Sequence, residues 1–136
     1  MFFKKIGQNK KYNLIKVAAL LIHAAKIDEN FTNEEEEIIN QTLLKLGAEN
    51  QNLENIIFEG KKIEENTNQI LDFTKEVKNM EEKEKIEIIE TLWRIIYSNK
   101  NADIYETNLM RRLAGLLYID NKIMGDIKEK IRKNKS

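Results

Sequence analysis

Hydrophobic residues recur along the chain at the spacing of one helix face. The first stripe comprises Leu14, Val17, Ala18, Leu21 and Ala25, which matches a helical period of 3.6 residues. Further apolar positions widen this stripe until the helix is apolar on nearly every side; they are Ile15, Leu20, Ile22 and Ile27. A helix of this kind belongs at the centre of a bundle.

Six more segments carry narrower apolar stripes at the same period. They cover residues 38–46, 53–63, 70–80, 86–96, 109–117 and 123–131. Lys45 and Gly47 are typical of a helix end, and no alternating apolar run predicts a strand. We therefore predict an all-α fold: one compact domain of about seven helices over residues 1–136, with an N-terminal arm at 1–10 and a basic tail at 128–136.

The sequence contains an internal repeat with an offset of 71 residues, from Asp28 to Asn99. After each of these turns the apolar positions correspond. The matched pairs are Ile38 with Leu109, Ile39 with Met110, Leu43 with Ala114, and Leu46 with Leu117. The repeat predicts that the bundle is built from two related helix-turn-helix halves.

The two repeated turns have two interpretations. Thr32 with Glu35, and Asp103 with Glu106, have the spacing of a capping box, which needs no ligand. Alternatively, the turn oxygens form a weak site for a divalent cation. The first-copy candidates are Asp28, Asn30, Thr32 and Glu35, and the second-copy candidates are Asn99, Asn101, Asp103 and Glu106. The glycine and final glutamate of an EF-hand loop are both absent.

The same turns carry a resemblance to the TerB-like family. Its hairpins typically contain an Asp-Gly-x-apolar-x-x-x-Glu turn, which the stretch from Asp28 to Glu35 resembles. The second half is similar in the flanking segments 92–97 and 105–117. The resemblance covers about Leu14 to Ile127. The two turns differ from the family pattern at three positions: Glu29 and Lys100 stand where the family usually has glycine, and Asn99 stands where it usually has aspartate.

This resemblance implies an all-helical bundle related to the module beside J-domains in some membrane-associated co-chaperones. It also implies a tellurite or general stress resistance context, but it defines no reaction. We expect no cofactor, apart from the weakly bound divalent cation of the alternative interpretation. If the acidic turn is the working surface of the family, the resemblance implies that the second copy has lost it.

Charge, composition and hydropathy exclude several classes of function. Lys plus Arg and Asp plus Glu number 23 each, so no net field attracts nucleic acid. The apolar stretch from Leu14 to Ile27 is too short to span a bilayer, and the arm lacks the apolar core of a secretory signal. The absence of cysteine fits a reducing compartment, so we expect a cytoplasmic protein. From the balanced charge and the short apolar stretch we expect no nucleic-acid binding and no integral membrane association.

The side chains that could support catalysis are few. His23 is the single histidine, and the pattern places it on the least apolar stripe of its helix, where a polar surface position is the plain interpretation. The aromatic residues Phe73, Trp93 and Tyr97 fall at core spacing. Three carboxylates of the fifth helix are expected to face solvent: Glu84, Glu87 and Glu90.

These observations favour a non-catalytic interaction module with a protein partner. The candidate partner surface consists of Glu34, Glu36, Arg111 and Arg112, although the arginines could instead form ion pairs on their own helix surface. The alternative is a divalent-cation-responsive switch at the turn from Asp28 to Glu35, and a more remote one is an enzyme of an unrecognised type.

Overall fold

The computed structural model describes the backbone of residues 2–26, 31–66, 71–98 and 103–135, and the side chains of 13–26, 31–66, 72–98 and 108–133. Its helices are α1 (Phe2–Ala25), α2 (Asn33–Lys45), α3 (Leu53–Glu65), α4 (Leu71–Val77), α5 (Glu82–Ser98), α6 (Asp103–Leu116) and α7 (Asn121–Lys135). A short 3-10 turn at Asn50–Asn52 precedes α3.

This architecture confirms the predicted all-α bundle of seven helices, and no strand occurs within those described ranges. Residues 2–10, the expected arm, are the first turns of α1, and residues 128–135, the expected basic tail, are the last turns of α7. None of the described helices is long and apolar enough to cross a membrane.

Helix α1 is the central element of the bundle, because α2, α3, α4 and α5 all pack against it. Its residues 17–22 are each at most 1% exposed, as the apolar positions around the helix predict. The burial of this segment removes apolar surface from water on every side, at about 25 cal/mol per Å².

Helix α3 approaches α1 most closely at Gly60. A Cβ atom placed on Gly60 would lie 2.9 Å from the Cβ of Ala18 and 3.2 Å from the backbone nitrogen of Ala19. Small residues on both helices therefore set the distance between their axes. Ile56 and Ile57 lie one turn before Gly60 in α3 and are buried on the same side of the helix.

The structure confirms the two related halves and extends the repeat beyond α2 and α6. Shifting Asn33–Lys45 by 71 residues reproduces α6 to within one residue at each end, and shifting Asn50–Glu65 reproduces α7 to the same margin. The first half thus consists of the core helix α1 followed by α2 and α3, and the second half consists of the core helix α5 followed by α6 and α7. Helix α4 lies between the halves in the chain.

Equivalent backbone turns end α2 and α6. Ala48 donates its N–H to the Leu43 carbonyl at 2.9 Å, and Ile119 donates to the Ala114 carbonyl at 2.9 Å. The residue before each donor has a positive φ, 109° at Gly47 and 57° at Tyr118. Both are therefore Schellman-type ends, and the second places a tyrosine where glycine is favoured.

Of the three aromatic residues predicted for the core, Phe73 and Trp93 are buried, whereas Tyr97 is partly buried and packs against the core. The prediction that the α5 carboxylates face solvent was wrong for Glu87 and Glu90. Glu87 lies 3.2 Å from Lys45 Nζ on α2, and Glu90, only 13% exposed, lies 3.1 Å from Lys130 Nζ on α7. The reason is that α2 and α7 both pack on α5.

Replacing Gly60 with alanine is expected to lower the free energy of unfolding by about 1–3 kcal/mol, because the new methyl group meets backbone and a buried methyl group. The matched control is Gly115→Ala in α6, where an added Cβ meets nothing within 4 Å. Urea denaturation of both variants measures the difference. Equal effects of the two substitutions would contradict the close approach of α1 and α3.

The two helix ends yield a second paired prediction. Gly47→Ala forces a side chain into positive φ and is expected to cost about 1–2 kcal/mol. Tyr118→Gly relieves the same kind of strain at a side chain that is 75% exposed, so it is expected not to lower the free energy of unfolding. Thermal and urea melts compare the pair, and a large loss for Tyr118→Gly would show that its ring stabilises the fold.

Candidate protein-binding groove

An open groove runs between α2 and α3. Both helices pack on α1, but they make few close contacts with each other, so their facing sides leave a space of about 600 Å³. We call it the α2–α3 groove. Its lining consists of Glu36, Asn40, Leu53, Glu54, Asn55, Ile57, Phe58 and Lys61.

The most exposed apolar side chain of the groove is Phe58, which is 57% exposed. Lys62 Nζ lies 5.3 Å from its ring centroid, within cation–π range. The rim above it carries an ion pair, with Lys61 Nζ 3.7 Å from Glu36 Oε1. A large apolar ring beside a charged rim is typical of a surface that another protein covers.

The groove also contains a polar atom without a partner. The Oδ1 atom of Asn40 is buried and accepts no hydrogen bond from the described part of the chain. Leaving such an acceptor unsatisfied costs about 1–3 kcal/mol. A donor supplied by a bound segment would recover that energy.

Neither Phe58 nor Asn40 was predicted from the sequence to be a functional residue, although the sequence carried a signal for Phe58. In α3 the buried residues Ile56, Ile57 and Gly60 lie on one side of the helix. Phe58 interrupts the polar side, where a large aromatic residue has no packing role. Asn40 carried no signal, because only its neighbours in three dimensions leave it without a donor.

The predicted capping box at the start of α2 is present. The Thr32 hydroxyl accepts from the Glu35 N–H at 3.1 Å, and Glu35 Oε1 accepts from the Thr32 N–H at 2.9 Å. The Thr32 hydroxyl also donates to Glu35 Oε1 at 3.1 Å. Glu35 is 3% exposed, so these oxygens already serve the helix start.

The other candidate cation ligands fall largely outside the described residues. Asp28 and Asn30 of the first turn, and Asn99 and Asn101 of the second, lie outside them altogether. Asp103 and Glu106 belong to the backbone of α6, but their side chains lie outside the description. Among the described side chains, no group of three His, Asp or Glu residues is placed to hold a metal.

The predicted partner surface is divided between two helices. Glu34 is exposed in the first turn of α2 and Glu36 lies on the rim of the α2–α3 groove. Arg111 and Arg112 are both exposed on α6. The alternative interpretation, ion pairs on the helix surface, is not found for either arginine among the side chains that the structure describes.

His23 lies half-buried on the polar stripe of α1, as predicted. Its Nδ1 is 3.3 Å from Glu64 Oε2, and the other oxygen of Glu64 accepts from Lys26 Nζ at 2.7 Å. The ring also contacts Phe73 with a centroid distance of 5.7 Å. This arrangement connects α1 to α3, and the described structure places one carboxylate, not a catalytic set, beside the imidazole.

The family model described as tellurite resistance protein TerB matches residues 14–129 of the chain. The chain belongs to the TerB family. This finding confirms the resemblance that the repeated turns and their flanking helices indicated. No curated protein and no solved structure matches the chain.

The match to TerB begins within α1 and ends within α7. It therefore includes both halves of the bundle, the capping box and every residue of the α2–α3 groove. The description of the family names tellurite resistance and no molecular activity.

The capping box yields a prediction that separates its two interpretations. Thr32→Ala is expected to lower the free energy of unfolding by about 1 kcal/mol, because the Glu35 N–H loses its acceptor. Glu35→Gln keeps an acceptor at the third helical position, so it is expected to be milder. Millimolar calcium is expected to leave the melting temperatures of both variants and the wild type unchanged. Calcium stabilisation of the wild type that Glu35→Gln abolishes would instead support the cation switch.

Proposed function

We propose that this TerB protein is a non-catalytic interaction module of a tellurite or general stress response, and that the α2–α3 groove receives a segment of a partner protein. The observation that carries the proposal is the exposed ring of Phe58 beside the unpartnered Asn40 Oδ1. Buried aromatic anchors contribute a large share of binding energy at protein interfaces.

The groove specifies the chemistry of the segment it would bind. The floor contributed by Leu53 and Ile57 accepts an apolar side chain, and Asn40 requires an N–H donor from the same segment. The Glu36–Lys61 pair on the rim offers one charge of each sign. The partner segment is thus an apolar residue flanked by polar ones, with a backbone or amide N–H directed at Asn40.

The absence of a catalytic role is part of the proposal and rests on the chemistry of the sequence. The chain has one histidine and no cysteine, and that histidine contacts Glu64, a carboxylate also bound by Lys26. A general base needs a substrate proton within reach. Glu64 instead holds the imidazole against a neighbouring helix.

Phe58→Ser is expected to abolish partner binding without unfolding the protein. An exposed ring contributes little to the core, so the free energy of unfolding should change by less than about 0.5–1 kcal/mol. The buried control Phe73→Ala should lose about 3–5 kcal/mol. We also expect tellurite tolerance of the source cell to fall both on deletion of the gene and with Phe58→Ser, the latter at an unchanged protein level.

A photo-crosslinking amino acid at position 58 tests the groove directly, with the same group at Tyr118 as an exposed aromatic control. We expect a defined adduct from position 58 only, in which the crosslinked partner peptide contains an apolar residue, and loss of this adduct on Asn40→Ala. Identical adducts from both positions, or no adduct from position 58, would contradict the proposal.

A further inference from the structure

A second, smaller cleft lies between α6 and α7 in the other half of the bundle. Helix α7 packs on α5, and α6 makes few close contacts with α7 among the described residues. The space between them measures about 180 Å³. It is lined by Trp93, Met110, Arg111, Ala114, Asn121, Met124, Gly125 and Lys128. We call it the α6–α7 cleft.

The charge of this cleft is one-sided. Among the residues that the structure describes, Arg111 and Lys128 line the cleft and no carboxylate does. Lys128 Nζ lies 5.4 Å from the centroid of the Trp93 ring, and Arg111 has no ion pair with any side chain that the structure describes. Two cations held close together without a counter-charge favour an anion.

One of the residues that line the cleft carries an unpartnered donor. Trp93 is 5% exposed, and its Nε1 is buried without an acceptor in the described structure. Buried tryptophan N–H groups usually have a partner. An acceptor brought into the cleft by a ligand would satisfy this group.

The internal repeat shows how the cleft differs from its counterpart. The offset of 71 residues relates four lining residues of the α2–α3 groove to four of the α6–α7 cleft. The equivalent pairs are Asn40 with Arg111, Leu53 with Met124, Glu54 with Gly125, and Ile57 with Lys128. At these four positions the cleft has lost one carboxylate and gained two cations relative to the groove.

The size of the cleft limits what it can hold. Its volume lies below the roughly 300 Å³ at which pockets for drug-sized molecules begin. A Cβ added to Gly125 would meet nothing within 4 Å, so that side of the cleft is open space. The site therefore fits a single compact group of atoms.

We infer that the α6–α7 cleft binds one carboxylate group through Arg111, Lys128 and the indole N–H of Trp93. The carboxylate belongs either to a free small organic acid or to an acidic side chain of a protein. In both cases the planar oxygens accept from the guanidinium and the indole, and the ammonium group of Lys128 supplies additional charge. This site is separate from the α2–α3 groove and does not depend on it.

The single tryptophan of the chain makes the test direct, because a ¹⁵N-labelled full-length sample has one indole N–H signal. The probes are sodium acetate and a blocked peptide containing one glutamate. The controls are the matching glutamine peptide and sodium chloride at equal ionic strength. We expect a saturable shift of the indole signal with acetate, with the glutamate peptide, or with both, and none beyond the chloride effect with the glutamine peptide.

Saturation by acetate identifies a free acid as sufficient, whereas saturation by the glutamate peptide alone identifies an acidic side chain. Arg111→Gln and Lys128→Gln should each weaken the affinity by about tenfold or more. The matched control Arg112→Gln, on the same helix but outside the lining, should leave it unchanged. Gly125→Leu should block the cleft while helicity and the melting temperature are retained.

The inference is overturned if the indole signal shows no saturable shift with either carboxylate probe, or if Arg111→Gln binds as well as Arg112→Gln. Phe58→Ser provides the link to the proposed function. This variant should leave the indole titration unchanged. The indole titration therefore tests the cleft alone, and partner binding at position 58 tests the groove alone.

Discussion

The close contact between α1 and α3 is the constraint on which the rest of the bundle depends. Gly60 places the α3 backbone against Ala18 and Ala19, and the following residues of α1 are buried by the surrounding helices. With α3 held this close to α1, α2 packs on another side of the same helix. The α2–α3 groove is the space left because both helices pack on α1 and make few close contacts with each other.

The repeat gives the second half the same framework with a different core. Helix α5 takes the place of α1, and α6 and α7 take the places of α2 and α3. Equivalent Schellman-type ends fix the direction in which the chain leaves α2 and α6. Because the backbone is conserved between the halves while the lining differs, one framework presents an apolar groove and a cationic cleft.

Polar groups at these two surfaces have opposite requirements. Asn40 in the groove presents an acceptor without a donor, and Trp93 in the cleft presents a donor without an acceptor. Glu76 Oε2 on α4 is a third buried atom without a partner among the described side chains. Other polar groups are paired within the fold, as in the hydroxyl pair of Thr42 and Thr91 between α2 and α5. Two of the three unpartnered atoms thus belong to residues that line the groove and the cleft.

The fold class, the seven helical segments, the repeat, the family and the Thr32–Glu35 cap could all be predicted from the sequence. These depend on spacing along the chain, because a helical period, a four-residue cap and a fixed offset are all local patterns. The sequence also placed Phe73 and Trp93 in the core and His23 on a polar stripe, since each position follows from its own helix.

Which helices diverge, and hence where the proposed binding surfaces lie, follows from how the helices pack in three dimensions. The exposure of Phe58 depends on α2 not covering α3, and the burial of Glu90 depends on α7 packing against α5. Arg111, Lys128 and Trp93 line one cleft although they come from three different helices. Each of these contacts joins residues that are far apart in the chain. A periodic pattern reports which face of one helix is apolar. It does not specify the distance between two helices that both pack on another helix.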